Sequence, residues 1–211
     1  HLGPSFPTRR SSDLTPYLYK DYFKSPELIS LGGVIGMISS FLILPFLSPL
    51  VNKFGKKELS VGTMLIAVAA NLALFLMPIK SPYVYMAINF IASIGTGFFN
   101  VLIWALVGDA IDYQEYITGK REEGIVYASY SLVRKLGQAI AGGIGGFALT
   151  FIGYKAGVAT QTPEVAQGIK YIITILPFVS ALISTIAMTF VYNLSKTKLA
   201  EMTKELELRR G

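Results

Sequence analysis

The stretch that decides the fold runs from Ile125 to Ile152 and reads IVYASYSLVRKLGQAIAGGIGGFALTFI. It is long enough to cross a bilayer as a helix, yet two cations, Arg134 and Lys135, stand near its middle. At a rise of about 1.5 Å per residue, Lys135 lies about 15 Å in from the polar segment 121–124, close to the midplane of a membrane. A cation at that depth costs at least about 2.5 kcal/mol unless it faces a partner or a water-filled path. The pattern therefore predicts a functional site inside a membrane-spanning bundle.

The rest of the chain has the same character. Of its 211 residues, 52% are hydrophobic and 15% charged, and the apolar residues are gathered into long runs. Five spans are expected, at 28–51, 59–77, 83–107, 125–152 and 169–192, each near or above the roughly 20 residues that a crossing needs. The runs lack the alternation of a barrel strand, so the expected class is an all-α membrane protein. With no cysteine, disulfides, thiolate metal sites and cysteine nucleophiles are excluded. The formal charge of +6 is spread over segments between the spans, a distribution set by topology and not by nucleic acid.

Alternate segments differ in charge. One side carries Lys53, Lys56, Lys57, Lys120, Arg121, Lys196, Lys198, Lys204, Arg209 and Arg210; the other carries Lys20, Lys24, Lys80, Lys155 and Lys170. The positive-inside rule then places the 52–58 loop, the 109–124 loop and the C-terminal tail, 195–211, in the cytoplasm of a multi-pass protein of the cell membrane. The tail reads as a short charged helix in solution. Residues 1–14 change character abruptly at Thr15, and SFPTRRSSDL resembles a translated adapter fragment more than protein, so this segment is set aside from the fold. Residues 15–24 then read as the external end of a severed helix, and 15–194 as the bundle.

Two polar stripes are expected to face a pathway. Tyr127, Ser131, Arg134, Lys135, Gln138 and Gly142 fall within about 100° of a helical wheel. In the preceding span Asn89, Ser93, Thr96 and Asn100 recur at three- and four-residue spacing, with Asn100 the best placed to touch a substrate. Gly142 and Gly146 have the small-xxx-small spacing that lets helices approach closely. Between the stripes, Asp109, Asp112 and Glu115 fall on one helical face, followed by Arg121, as the third span leaves the membrane. They read either as a solvated turn or as gating charges. An intramembrane enzyme would need more than Asp109 and Asp112 at a water boundary, where no histidine, cysteine or metal-ligand cluster accompanies them.

VGDAIDYQEYITGKREEGIVYASYSLVRKLGQAIAGGIGG, residues 107–146, resembles the signature of the glycoside-pentoside-hexuronide:cation symporters, the melibiose-permease-like branch of the major facilitator superfamily. LVNKFGKKEL, 50–59, resembles the second-half copy of that superfamily's basic loop. The resemblance implies the C-terminal half of such a transporter, five complete transmembrane helices plus the end of a sixth. It also implies symport of a sugar or glycoside with Na⁺, H⁺ or Li⁺ by alternating access. Lys135 then matches the family's functional lysine, Ser131 a hydroxyl beside the sugar, and Asp109, Asp112 and Arg121 charges that close the cytoplasmic side. Two positions depart: Asn100 replaces the tryptophan that faces the sugar in melibiose permease, and Arg134 replaces an apolar residue. The coupling-ion site is expected in the family's other six-helix half, the partner this fragment needs besides lipid. A related facilitator for a lysolipid or peptide is the alternative.

Overall fold

The computed structural model describes residues 14–158 and 160–210. The adapter-like segment expected at 1–14 thus lies outside the described residues except for Leu14. Leu14 is itself buried against the bundle, with its side chain next to Gly145.

Every regular element among the described residues is helical. A turn of α-helix, α1 (Thr15–Tyr17), runs into a π-helical turn, Leu18–Tyr22. Then come α2 (Leu28–Phe54), α3 (Lys56–Leu76), α4 (Pro82–Thr118), α5 (Glu123–Phe151), α6 (Pro163–Ile186) continued by a π-helical turn at Ala187–Val191, and α7 (Lys196–Arg210). Four of these are long and apolar enough to cross a membrane: α2, α3, α4, and α6 with its π-turn. The 29-residue α5 is long enough but carries Arg134 and Lys135 midway and is not among the four.

Helix ends follow local chemistry. Gly55, at φ +95°, closes α2 and opens α3; a Cβ there would lie 2.5 Å from a Glu58 carboxylate oxygen, so both the conformation and the space call for glycine. Gly119, left-handed at φ +71°, stops α4. Prolines sit in the first turns of α4 and α6, where a missing N–H is not needed.

The bundle is organised around α3, which packs on α2, α4 and α6. The closest approach is at Gly95 of α4, where a Cβ would lie 2.4 Å from the Thr63 carbonyl oxygen and 3.0 Å from the Ala67 Cβ. One apolar cluster joins Leu18 and Tyr19 to Leu74, Tyr85, Met86 and Ile169 at one end of the bundle. A second joins Ile43, Leu59, Phe98 and Leu102 across α2, α3 and α4. A third holds Met64 and Ala67 against Ala181 of α6.

Several expectations are corrected. The helix that carries the third span does not end at Val107: α4 continues for three more turns, so Asp109, Asp112 and Glu115 lie on it, and the loop expected over 109–124 shrinks to 119–122. The helix that carries the last span begins at Pro163, ahead of the expected 169. Lys170, counted with a loop, is buried in α6 and its ammonium donates to the carbonyls of Phe75 and Met77, both at 2.9 Å, satisfying acceptors at the end of α3. A Cβ at Gly142 or Gly146 would meet nothing within 4 Å, so neither marks a close helix contact among the described residues. The tail helix is docked, not free: Met202 and Leu206 of α7 are buried.

Candidate functional site

Of the long helices α5 stands apart, because Gly145 is its one buried residue. Tyr127, Ser131, Arg134, Lys135 and Gln138 are all exposed, and none of the five side chains makes a hydrogen bond or ion pair with a described residue. The apolar flank is equally open, with Val133 67% and Phe147 80% accessible. A bilayer would accept the apolar side chains but not the two cations, so the helix has one flank suited to lipid and one suited to water or a partner.

The stripe expected on α5 is divided by its neighbour. Arg134 leans toward α4 and holds its guanidinium 5.8 Å from the centre of the Trp104 ring, within cation–π range. Trp104 meets Tyr130 edge to face at 5.5 Å. Together with Asn100, Ile103 and Val133 these residues line a cleft of about 450 Å³ between α4 and α5, a size suited to a small organic ligand. Asn100 and Arg134 are thus brought together, midway along their helices. Tyr127, Ser131, Lys135 and Gln138 do not line the cleft.

Trp104 and Tyr130 were missed in the sequence, although a signal existed. Trp104 follows Asn100 by four residues and Tyr130 precedes Arg134 by four, so each shares a helical face with the polar residue already singled out. Trp104 is also the only tryptophan in the chain.

A second cluster lies at the end of the bundle that carries α7. Asp109 is buried, and its carboxylate accepts from the Lys56 ammonium at 2.5 Å and from the Tyr192 hydroxyl at 3.2 Å. Burial, and then the adjacent Asp109 charge, pushes the Tyr192 phenol above its ordinary range, so it stays a donor. Arg121 reaches Asp112 at 2.7 Å, Glu115 at 2.9 Å and Glu123 at 2.5 Å. Hydrogen bonds to these three carboxylates hold its guanidinium above the usual arginine range. The four expected gating residues therefore split into two sets, Asp109 with Lys56 and Tyr192, and Asp112 and Glu115 with Arg121.

α7 covers this end. Its Arg209 donates to the Tyr116 carbonyl at 3.0 Å and lies over the Tyr116 ring, and Lys198 lies over the Tyr113 ring. Lys196 donates to the Asn52 carbonyl at 2.6 Å at the end of α2. Among the described residues no group of histidines and carboxylates is arranged to hold a metal ion.

Residues 8–196 match the family model described as "MFS/sugar transport protein". Among curated proteins, the chain is 36% identical over 93% of its length to the "Putative 2,3-dihydroxypropane-1-sulfonate exporter" of Salmonella typhimurium, covering 41% of that protein. It is 36% identical over 87% of its length to the "Uncharacterized symporter YnaJ" of Bacillus subtilis, covering 39%. It is 34% identical over 92% of its length to the "Glucuronide carrier protein homolog" of Escherichia coli, covering 41%. The chain therefore spans about two fifths of the length of these relatives, and each bears the name of a transporter rather than of an enzyme.

Proposed function

Because this chain belongs to the MFS/sugar transport protein family, we propose that it forms the C-terminal part of a secondary active transporter for a sugar or glycoside, coupled to Na⁺, H⁺ or Li⁺. The observation that carries this reading is α5, an exposed helix with two cations halfway along it that pair with no described carboxylate, set beside a cleft that holds an asparagine and two aromatic rings. Polar groups of this kind at membrane depth suit a substrate path and would be unfavourable against lipid. Aromatic faces suit the apolar face of a pyranose, and an amide and a guanidinium suit its hydroxyls.

In this reading the exposed flank of α5 faces a cavity shared with an N-terminal half that supplies the coupling-ion site. Rocking of the two halves exposes the cleft to each side in turn. The end carrying α7 is cytoplasmic and the protein sits in the cell membrane, as the excess of Lys and Arg on that side favours. The Asp109 and Arg121 clusters brace the cytoplasmic end of this half, against which the other half would close. The relatives' names support transport, one as a symporter, and two of them specify acidic cargoes.

The test is uptake of labelled sugars by the complete transporter in proteoliposomes, with imposed Na⁺, Li⁺ or proton gradients. Accumulation that follows one of the gradients is expected. Sugar flux indifferent to all three would remove the coupling, and absence of flux for every sugar would remove the reading.

A further inference from the structure

The middle of α5 rests on α4 at one place. From Tyr127 to Ala141, Tyr130 is the single residue of that helix that is not exposed. Its ring meets the Trp104 ring of α4 edge to face at 5.5 Å. One turn further on, Arg134 lays its guanidinium over the same indole, 5.8 Å from the ring centre. The spacing of four residues puts Tyr130 and Arg134 on one face of α5, so two side chains of a neighbouring helix grip the Trp104 ring together.

Trp104 needs such a grip. The residue is 52% exposed and lines an open cleft. A half-exposed indole without neighbours would swing about its two side-chain torsions, and a substrate packing against it would have to immobilise it, which weakens binding. The attraction of a cation to a ring is strongest for tryptophan and grows where water is excluded, so an arginine halfway along a span is well suited to hold one. Asn100 lies one turn from Trp104 on α4 and lines the same cleft, so fixing the ring also fixes the aromatic wall beside that amide.

We propose that Arg134 is a positioning residue: most of its effect on substrate passes through Trp104, whose ring it holds as a wall of the α4–α5 cleft. The inference rests on the transport reading above and requires no particular charge on the cargo.

Trp104 is the only tryptophan of this chain, so its fluorescence reports on the ring in the complete transporter once tryptophans elsewhere are replaced by phenylalanine. Arg134→Gln should lower the order of Trp104 in time-resolved anisotropy and raise its quenching by acrylamide. Arg134→Lys, which keeps the cation but not the planar guanidinium, should recover part of the change. Unchanged ring signals in Arg134→Gln would overturn the hold on Trp104. In uptake, Arg134→Gln should raise the KM of whichever of labelled methyl β-D-glucoside and methyl β-D-glucuronide is carried, and of both alike if both are. The expected rise is about three- to tenfold, the loss when a side chain must be ordered on binding. Made on top of Trp104→Leu, the same substitution should raise KM little further. A full further rise there, or a rise confined to the glucuronide when both are carried, would make Arg134 a direct contact and overturn the positioning role. Carriage of neither compound would overturn the sugar reading and the role of the wall, while the ring signals, which need no substrate, still decide whether Arg134 holds Trp104.

Discussion

Lys56 and Asp109, 53 residues apart in sequence, meet at 2.5 Å and join the first turn of α3 to α4. The Tyr192 hydroxyl takes the other Asp109 oxygen, so one buried carboxylate ties together three helices at the end of the bundle covered by α7. The arrangement braces that end of the bundle. The Lys56 side chain remains 30% exposed, so water competes for its charge and limits what the pair contributes.

Asp109→Asn leaves Lys56 facing a neutral amide. Removing one partner of a fully buried pair costs roughly 3–5 kcal/mol, but the exposure of Lys56 should hold the loss to about 1–2 kcal/mol. A cycle with Lys56→Met, followed by thermal unfolding in detergent, measures the coupling. Strictly additive effects of the two changes would mean that the ion pair contributes nothing.

Lys135→Ala should abolish coupled uptake by the complete transporter while leaving membrane insertion and melting temperature unchanged. Lys135 is exposed and its side chain pairs with no described residue, so its removal should leave the bundle folded, whereas its charge stands on the face assigned to the pathway. Uptake at the parental rate would refute the role.

Gly95→Leu should destabilise the bundle by about 3 kcal/mol or more, because overpacking a tight contact costs about 1–3 kcal/mol even for smaller intrusions. Already at Cβ the new side chain would reach 2.4 Å from the Thr63 carbonyl oxygen and force α3 and α4 apart. Gly142→Ala, with nothing within 4 Å, should change stability by less than about 0.5 kcal/mol and serves as the contrast. Equal melting temperatures for the two variants would contradict the packing.

Met202→Ala combined with Leu206→Ala should release α7 without unfolding the spans. Both side chains are nearly inaccessible, and truncating each buried side chain removes roughly 2–5 kcal/mol of contact. Limited trypsin digestion should then cut at Lys198 and Lys204 far faster than in the parent, with the rest of the chain intact. Unchanged protection of the tail would mean that its polar contacts to Tyr116 and Asn52 suffice.

Much of this protein was legible in its sequence, for a physical reason. Burial in lipid leaves backbone polar groups no partner outside their own helix, so long apolar runs determine both the class of fold and the number of long helices. The cost of a charge at depth likewise marked Arg134 and Lys135 before any neighbour was known. Local spacing could not say which residues meet across helices. Gly142 and Gly146 have the spacing of a helix contact, yet no described residue lies within 4 Å of the Cβ that either would carry, whereas the close approach falls at Gly95, whose partner carbonyl lies on α3. The apolar seam of α7 is too thin a signal to predict docking, and only its contacts with α4 and the end of α2 bury it. The division of the α5 stripe, with Arg134 turned to Trp104 and Lys135 left open, depends on how α4 and α5 lean together. The sequence by itself determined an all-helical membrane bundle with charge at its centre, because solvation by lipid acts on each segment alone. Tertiary structure decided which charge lies in a cleft and which carboxylate closes an end, because those depend on pairs of residues tens of positions apart.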